Sequence, residues 1–257
     1  MNSCNPYMIH LALELGNAKF SEYQSLFGFG QTTGIDLPGE TTGIVYGDKM
    51  TTIDAACNSF GQTINVNMMQ MMASYCSIIN GGMLYQPHVV KRIESANGEV
   101  VKENKATLIR QTVTMSTSKL LRRYLKNTVE SGTAKKVAVT GYSVAGKTGT
   151  AQKSPRSENK WLISIIGHAP ADNPKFAIYV IIDEPDGTTG TSGNSADVLQ
   201  LSHDILEKLL PYMSVYKDAL DEPVDTSNSE DELTVGDVPE GSISNTTETN
   251  QTMPSVD

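Results

Sequence analysis

The chain has 257 residues, of which 39% are hydrophobic and 19% are charged, enough apolar material for one large domain or two small ones. The net charge of −9 arises in residues 218–257, which carry eleven acidic residues and no Lys or Arg; the remainder stands at +2, unlike a nucleic-acid-binding surface. Three widely spaced cysteines, Cys4, Cys57 and Cys76, favour neither a disulfide framework nor a zinc site. No apolar run approaches membrane-spanning length and the first ten residues lack a basic segment, so neither an anchor nor a signal peptide is predicted within this sequence.

A helix is predicted at the start of the chain. Asn5 and Pro6 are followed by apolar residues at helical spacing, and proline suits the first helical position. Either Ser3 or Asn5 is a suitable cap, because both side chains can accept a hydrogen bond from a free amide of the first turn. Gly16 is predicted to end this helix.

The following segment alternates between helices and turns. A weak helix over residues 21–26, a glycine-rich loop over 27–43, a short helix over 52–57 and a methionine-rich helix over 65–79 are predicted. The loop glycines do not form G-x-G-x-x-G, which argues against dinucleotide binding. Asn97-Gly98 between two β-like runs predicts a hairpin, and residues 116–130 form an amphipathic helix for which Ser116 is the predicted cap.

Three β-like runs follow, at residues 142–152, 161–168 and 176–183, and a last helix is predicted over 194–210, before Pro211. The links between the runs are too short for helical crossovers, which predicts an antiparallel meander. Residues 217–257 are polar and acidic, with almost no large apolar side chains, and are predicted to be a disordered tail. Residues 1–216 then form the folded domain.

The run Lys147-Thr148-Gly149-Thr150 fits two functional motifs. Together with Gly141 it matches the phosphate-loop pattern, and the later run ending at residue 183 looks like a Walker B strand. A phosphate loop, however, needs a helix that begins near Lys147, and the glycine and proline that follow disfavour one. The alternative is a strand carrying the Lys-Thr-Gly motif of penicillin-binding proteins and serine β-lactamases.

With the strand interpretation, other stretches resemble the C-terminal half of class B penicillin-binding proteins, the peptidoglycan D,D-transpeptidases of cell division and spore formation. The matching stretches are residues 1–6, 33–40 (TGIDLPGE), 59–63 (SFGQT), 131–139 (SGTAKKVAV), 141–153 (GYSVAGKTGTAQK) and 161–185. The resemblance covers roughly residues 1–212. It implies an α/β (α+β) fold of the penicillin-binding protein/serine β-lactamase type, with an antiparallel sheet flanked by helices and a cleft between the sheet and a helical lobe.

The resemblance also implies roles for individual residues. Two of the family's three motifs map onto the chain, which gives the catalytic candidates Ser3, Asn5 and Lys147 and the substrate-binding candidates Thr148, Gly149 and Thr150. Threonine hydroxyls can hold the terminal carboxylate of a D-Ala-D-Ala peptide, and glycine lets a ligand backbone approach the strand. In the family, the amide of the residue after Lys-Thr-Gly is an oxyanion donor. The resemblance implies no cofactor and no metal.

The third motif of the family, Ser-x-x-Lys, carries the nucleophile and precedes Ser-x-Asn. Here that string occurs only later, beginning at Ser116, Ser157 and Ser214. The expectation is therefore an N-terminally truncated transpeptidase domain that is inactive alone, from a parent enzyme at the extracytoplasmic face of the plasma membrane. The implied partners are peptidoglycan stem peptides, β-lactams and cell-division or sporulation membrane proteins, with no nucleic acid. The alternatives are a non-catalytic ligand-binding or partner-docking relic and a phosphate-loop NTPase.

Overall fold

A three-stranded antiparallel sheet carries the Lys-Thr-Gly run in the computed structural model, which describes residues 2–185 and 195–217. Its strands are β5 (Ala145–Gln152), β6 (Trp161–Ala169) and β7 (Phe176–Asp183), with β6 in the centre. Lys147 lies opposite Ile166, and Ser164 opposite Ile181, without a break in register. The predicted meander is therefore confirmed, although its first strand begins at Ala145. No helix begins at Lys147, which removes the basis for a phosphate loop.

Six α-helices and four further strands surround this sheet in the described residues. The helices are α1 (Asn5–Leu15), α2 (Asn17–Leu26), α3 (Thr52–Asn58), α4 (Met68–Ile79), α5 (Met115–Glu130) and α6 (Ala196–Tyr212). The strands are β1 (Met83–Tyr85), β2 (Arg92–Glu94), β3 (Val100–Glu103) and β4 (Leu108–Gln111). The fold is thus α+β, as predicted, with helices flanking antiparallel sheets. No helix in the described part is long and apolar enough to cross a bilayer.

The two faces of the central sheet pack against different helices. Because side chains alternate along a strand, Ile163 and Ile165 of β6 point to one face, where they join the buried core formed with α6 and the segment after α5. Ile166 points to the other face and packs with Tyr75 and Ile79 of α4. Because both faces of the sheet are buried at β6, the sequence of this strand is almost continuously apolar.

Two of the helix caps predicted from the sequence are wrong. Thr114, not Ser116, caps α5: its hydroxyl accepts from the Thr117 amide, while the Ser116 hydroxyl bonds to Thr114 at 2.8 Å. The N-cap of α1 is Cys4, with no side-chain bond to the helix, so neither Ser3 nor Asn5 acts as the cap. Gly16 ends α1 as predicted, because its φ of +79° suits a residue without a Cβ.

The predicted hairpin around Gly98 is present, with β2 and β3 paired antiparallel. Asp36 accepts hydrogen bonds from the amides of Val89 and Val90 and so ties the loop after α2 to the base of this hairpin. The pairing of β1 with β4 was not predicted, since both are short and mostly exposed. The proposed tail, residues 217–257, lies outside the described residues apart from Lys217.

Candidate active site at the open edge of strand β5

The outer edge of β5 presents polar backbone groups, because in the described residues β5 pairs with β6 alone. The Lys153 amide donates to the Lys160 carbonyl at 2.9 Å, just beyond the last pair of the ladder. Hydrogen-bonded pairs alternate in an antiparallel ladder, so Lys147 and Gly149 bond towards β6. The amides and carbonyls of Thr148 and Thr150 therefore point outwards, to the open edge.

Lys147 and Ser3 meet at this edge although 144 positions separate them in the sequence. The Lys147 ammonium donates to Ser3 Oγ at 2.7 Å and to the outward carbonyl of Thr148 at 2.7 Å. Burial lowers the pKa of Lys147 from its ordinary value. No carboxylate of the described chain lies within ion-pair distance of this ammonium, so no ion pair within residues 2–185 and 195–217 neutralises its positive charge.

Ser3 and Asn5 reach the site from the turn before α1. Ser3 has a φ of +50°, an uncommon value for serine that differs from the helical backbone conformation of α1, which follows it. Asn5 is the first residue of α1 and is exposed, and its side-chain amide makes no hydrogen bond to other described residues. Two residues span at most about 7 Å, so the Asn5 backbone lies within that distance of Ser3, and no hydrogen bond joins Asn5 to Lys147 among the described residues.

Gly149 is explained by packing against the neighbouring strand. A Cβ at this position would lie 2.5 Å from Ser164 Oγ, well inside van der Waals contact. Ser164 is buried and lies directly opposite Gly149 on β6. The structure therefore gives a packing reason for the glycine, namely room for the Ser164 hydroxyl, in addition to the ligand approach expected from the sequence.

The two threonines of the motif point to the other face of β5, and each contacts a hydroxyl that the sequence analysis missed. Thr148 Oγ1 lies 3.1 Å from Thr133 Oγ1, in the turn after α5. Thr150 Oγ1 lies 3.2 Å from Ser195 Oγ, at the start of α6. Thr133 lies within a stretch that carried the family resemblance, so only that resemblance could have drawn attention to it.

The later Ser-x-x-Lys strings do not form Ser–Lys pairs in the described structure. Lys160, in the second string, is engaged by Glu158 at 2.9 Å and by Glu184 at 3.7 Å. Lys217, in the third, lies over the Tyr142 ring with its Nζ 6.0 Å from the centroid. In the first string, the serine bonds to the helix cap rather than to a lysine. Among the described residues, Ser3 and Lys147 form the one Ser–Lys side-chain hydrogen bond.

A buried polar pair supports the sheet behind this edge. His168, on the same face of the sheet as Lys147, is fully buried; its Nε2 lies 3.0 Å from the Ala171 carbonyl and its Nδ1 2.8 Å from the Tyr75 hydroxyl. Because a carbonyl only accepts, Nε2 carries the proton and Nδ1 accepts from Tyr75. Burial lowers the pKa of His168 to about 4. No group of three or more His, Cys, Asp or Glu side chains that could hold a metal occurs in residues 2–185 and 195–217.

Comparison with known proteins identifies the family. The model of the penicillin-binding protein transpeptidase domain matches residues 1–207. The chain belongs to this family. It is 39% identical over 219 residues to stage V sporulation protein D of Bacillus subtilis, covering 83% of this chain and 34% of that protein. It is 32% identical over 189 residues to the peptidoglycan D,D-transpeptidase FtsI of Escherichia coli, covering 71% of this chain and 30% of that one.

A solved structure agrees with this assignment. Penicillin-binding protein 3 of Mycobacterium tuberculosis, in complex with ampicillin, superposes with a TM-score of 0.76 at 29% identity, covering 86% of this chain and 52% of that chain. The chain spans about a third of the length of the curated relatives named above and about half of the solved structure.

Proposed function

We propose that this domain serves peptidoglycan D,D-transpeptidation by serine acyl transfer, and that its described residues form the substrate-recognition and proton-transfer side of the site. The contact between Lys147 and Ser3 at the open edge of β5 carries the proposal. It places a cation, a hydroxyl and the outward Thr150 amide along one edge. Acyl transfer to a serine requires such donors beside the reacting carbonyl.

Recognition of the terminal carboxylate falls to Lys147, Thr148 and Thr150. The charge of Lys147 has no carboxylate partner in the described protein, and the threonine hydroxyls can donate to an acceptor at the same edge. Hydrogen bonds between charged groups are stronger than neutral ones. A peptide that ends in D-Ala-D-Ala, or a β-lactam with its own carboxylate, supplies the matching anion.

The same edge supports the chemical step. The outward amide of Thr150 donates to the carbonyl oxygen as negative charge develops on it. Because burial lowers the pKa of Lys147, its ammonium group gives up a proton more readily. The Ser3 hydroxyl, 2.7 Å from Lys147 Nζ, transfers that proton to the leaving amine of the substrate. Asn5, two residues after Ser3 at the start of α1, is the candidate donor to the substrate backbone.

The serine nucleophile, in this proposal, belongs to a segment outside the described residues. The three later Ser-x-x-Lys strings are engaged in other contacts, and Ser3 is already the partner of Lys147. By analogy with the relatives, we place the whole protein at the extracytoplasmic face of the plasma membrane, alongside cell-division or sporulation proteins. Residues 1–216 form the catalytic-domain portion, and residues 217–257 are an accessory acidic tail.

A second candidate function follows from the same observation about the strings. A domain that has the carboxylate-binding edge but is never joined to a nucleophile would bind stem peptides without reacting. This non-catalytic role and the enzymatic role predict the same recognition but opposite results for covalent labelling by penicillin.

The recognition step is tested with the purified chain and a non-covalent ligand. An N-acylated D-Ala-D-Ala peptide and its C-terminal carboxamide are titrated into labelled protein and followed by NMR. We expect the carboxylate to bind more tightly, and Lys147→Met to weaken its binding about 10- to 100-fold, since a hydrogen bond to a charged group contributes about 1.5–3 kcal/mol.

Lys153→Met is the matched control. Lys153 follows directly on β5, on the same side of the chain as Lys147, but is paired with Asp183 and Glu184 at 2.9 and 2.7 Å. It should leave the preference for carboxylate unchanged. Equal binding of the carboxylate and the carboxamide by the wild-type chain would contradict the proposed recognition.

A further inference from the structure

Two hydroxyls from outside the Lys-Thr-Gly motif flank its threonines. Thr133 reaches Thr148 from the turn after α5, and Ser195 reaches Thr150 from the start of α6. The four hydroxyls thus form two pairs, both on the face of β5 that packs towards α6. Each pair joins a motif residue to a residue on a different element.

The protons of these hydroxyls can be assigned once a carboxylate is bound. A carboxylate only accepts hydrogen bonds, and each hydroxyl has a single proton. If the hydroxyls of Thr148 and Thr150 both donate to the ligand, the hydroxyls of Thr133 and Ser195 must donate to them. The direction of each pair is then fixed, from the flanking hydroxyl to the threonine and from the threonine to the ligand.

We propose that Thr133 and Ser195 are positioning residues that orient the hydroxyls of Thr148 and Thr150 as donors, and that they thereby set the preference of the site for a carboxylate over a carboxamide. This inference rests on the proposed function. A carboxamide offers an NH₂ group where the carboxylate has a second acceptor oxygen. If each threonine faces a different oxygen of the carboxylate, one of them faces the NH₂ group of the carboxamide, and two donors then meet without an acceptor between them.

Ser195 is available for this role because it does not cap its helix. Serine at the start of a helix usually accepts a hydrogen bond from an amide of the first turn, whereas the Ser195 side chain makes no cap bond to α6. Its hydroxyl faces Thr150 instead. The helix therefore forgoes a local stabilising contact at the point where the strand places a threonine of the motif.

The backbone that carries both flanking residues is anchored in the core. Ala134 follows Thr133, is fully buried, and its amide donates to the Thr128 carbonyl at 3.1 Å. Val198 lies one turn into α6 and is also fully buried. Thr133 and Thr150 themselves are exposed, so water competes for their hydroxyls until a ligand covers them. The separations of 3.1 and 3.2 Å leave room for both bonds to shorten on binding.

The test measures binding of the N-acylated D-Ala-D-Ala peptide and its carboxamide to single variants of the intact chain. Thr133→Val and Ser195→Ala should each weaken carboxylate binding by about 3- to 10-fold, the effect of losing one hydrogen bond, and leave carboxamide binding unchanged. Thr133→Ser should restore wild-type affinity. Thr133→Val combined with Thr148→Val should bind no more weakly than Thr148→Val alone, since Thr133 acts through Thr148.

Ser131→Ala is the control, because Ser131 lies two residues before Thr133 and donates to the Asn127 carbonyl rather than to the motif. It should bind both ligands as the wild type does, and melting curves check that every variant is folded. If the wild type prefers the carboxylate but Thr133→Val and Ser195→Ala keep the full preference, this inference is wrong and the proposed function stands. If the wild type binds both ligands equally, or neither, the proposed function is wrong and this inference falls with it.

Discussion

Acidification should destabilise this domain through His168. Its imidazole is fully buried and neutral, held between the Tyr75 hydroxyl and the Ala171 carbonyl, and its pKa is lowered to about 4. In the unfolded chain a histidine has a pKa of about 6.5. Between these two values the unfolded state binds more protons than the folded state, so stability falls as the pH falls.

The size of the effect follows from the two pKa values. Above pH 6.5 protonation of His168 costs the folded state almost nothing. The free energy of unfolding should fall by about 2 kcal/mol by pH 5, and by about 3 kcal/mol once the pH has dropped through 4. Urea unfolding at several pH values between 7.5 and 5 measures this loss before most carboxylates titrate. In that range the free energy of unfolding should approach a slope of about 1.4 kcal/mol per pH unit.

Two variants isolate the contribution of His168. His168→Gln, which cannot be protonated in this range, should be less stable at pH 7.5 but should lose most of the pH dependence. His203→Gln is the control, since His203 is only partly buried in α6 and its Nδ1 bonds to the Ala138 carbonyl. An unfolding free energy that stays constant from pH 7.5 to 5 in the wild type would refute the reasoning, as would an equal pH dependence in His168→Gln.

Two further predictions concern packing and domain limits. Gly149→Ala should destabilise the domain by about 1–3 kcal/mol in urea unfolding, because the new Cβ would lie 2.5 Å from Ser164 Oγ. Adding Ser164→Gly removes that hydroxyl and should recover most of the lost stability. If the two substitutions instead cause independent, additive losses, this explanation is wrong. Deleting residues 218–257, whose composition offers almost no apolar side chains to a core, should leave the melting temperature nearly unchanged, and a large drop would show that they pack on the domain.

The sequence was sufficient for the central sheet because its signals there are local. Short polar links between three β-like runs leave only antiparallel pairing, and the position of Gly149 on a strand follows from the residues that make a helix there implausible. The same reasoning missed β1 and β4, whose pairing joins two segments of three or four residues with little burial. Short strands of this kind carry no clear periodicity.

The site was less predictable because its contacts join distant parts of the chain. From the sequence, only family resemblance assigns Ser3 and Lys147 to one catalytic site, since no local pattern links residues 144 positions apart. Thr133 and Ser195 looked like ordinary turn and helix-start residues, and their hydroxyls became meaningful only beside β5. His168 showed only as a polar residue at the end of an apolar strand, with its partner Tyr75 on another element.

Covalent labelling by a fluorescent penicillin tests most directly the claim that this chain holds the recognition side of a transpeptidase site and not its nucleophile. The 257-residue chain is compared with a version extended at its N-terminus by the Ser-x-x-Lys segment of the Bacillus subtilis relative. We expect no covalent band from the chain alone and a stoichiometric adduct on the added serine, which Lys147→Met in the extended protein should strongly reduce. A stoichiometric adduct on Ser3, Ser116 or any other serine of the 257-residue chain would contradict the account, and so would an extended, folded protein that remains unlabelled.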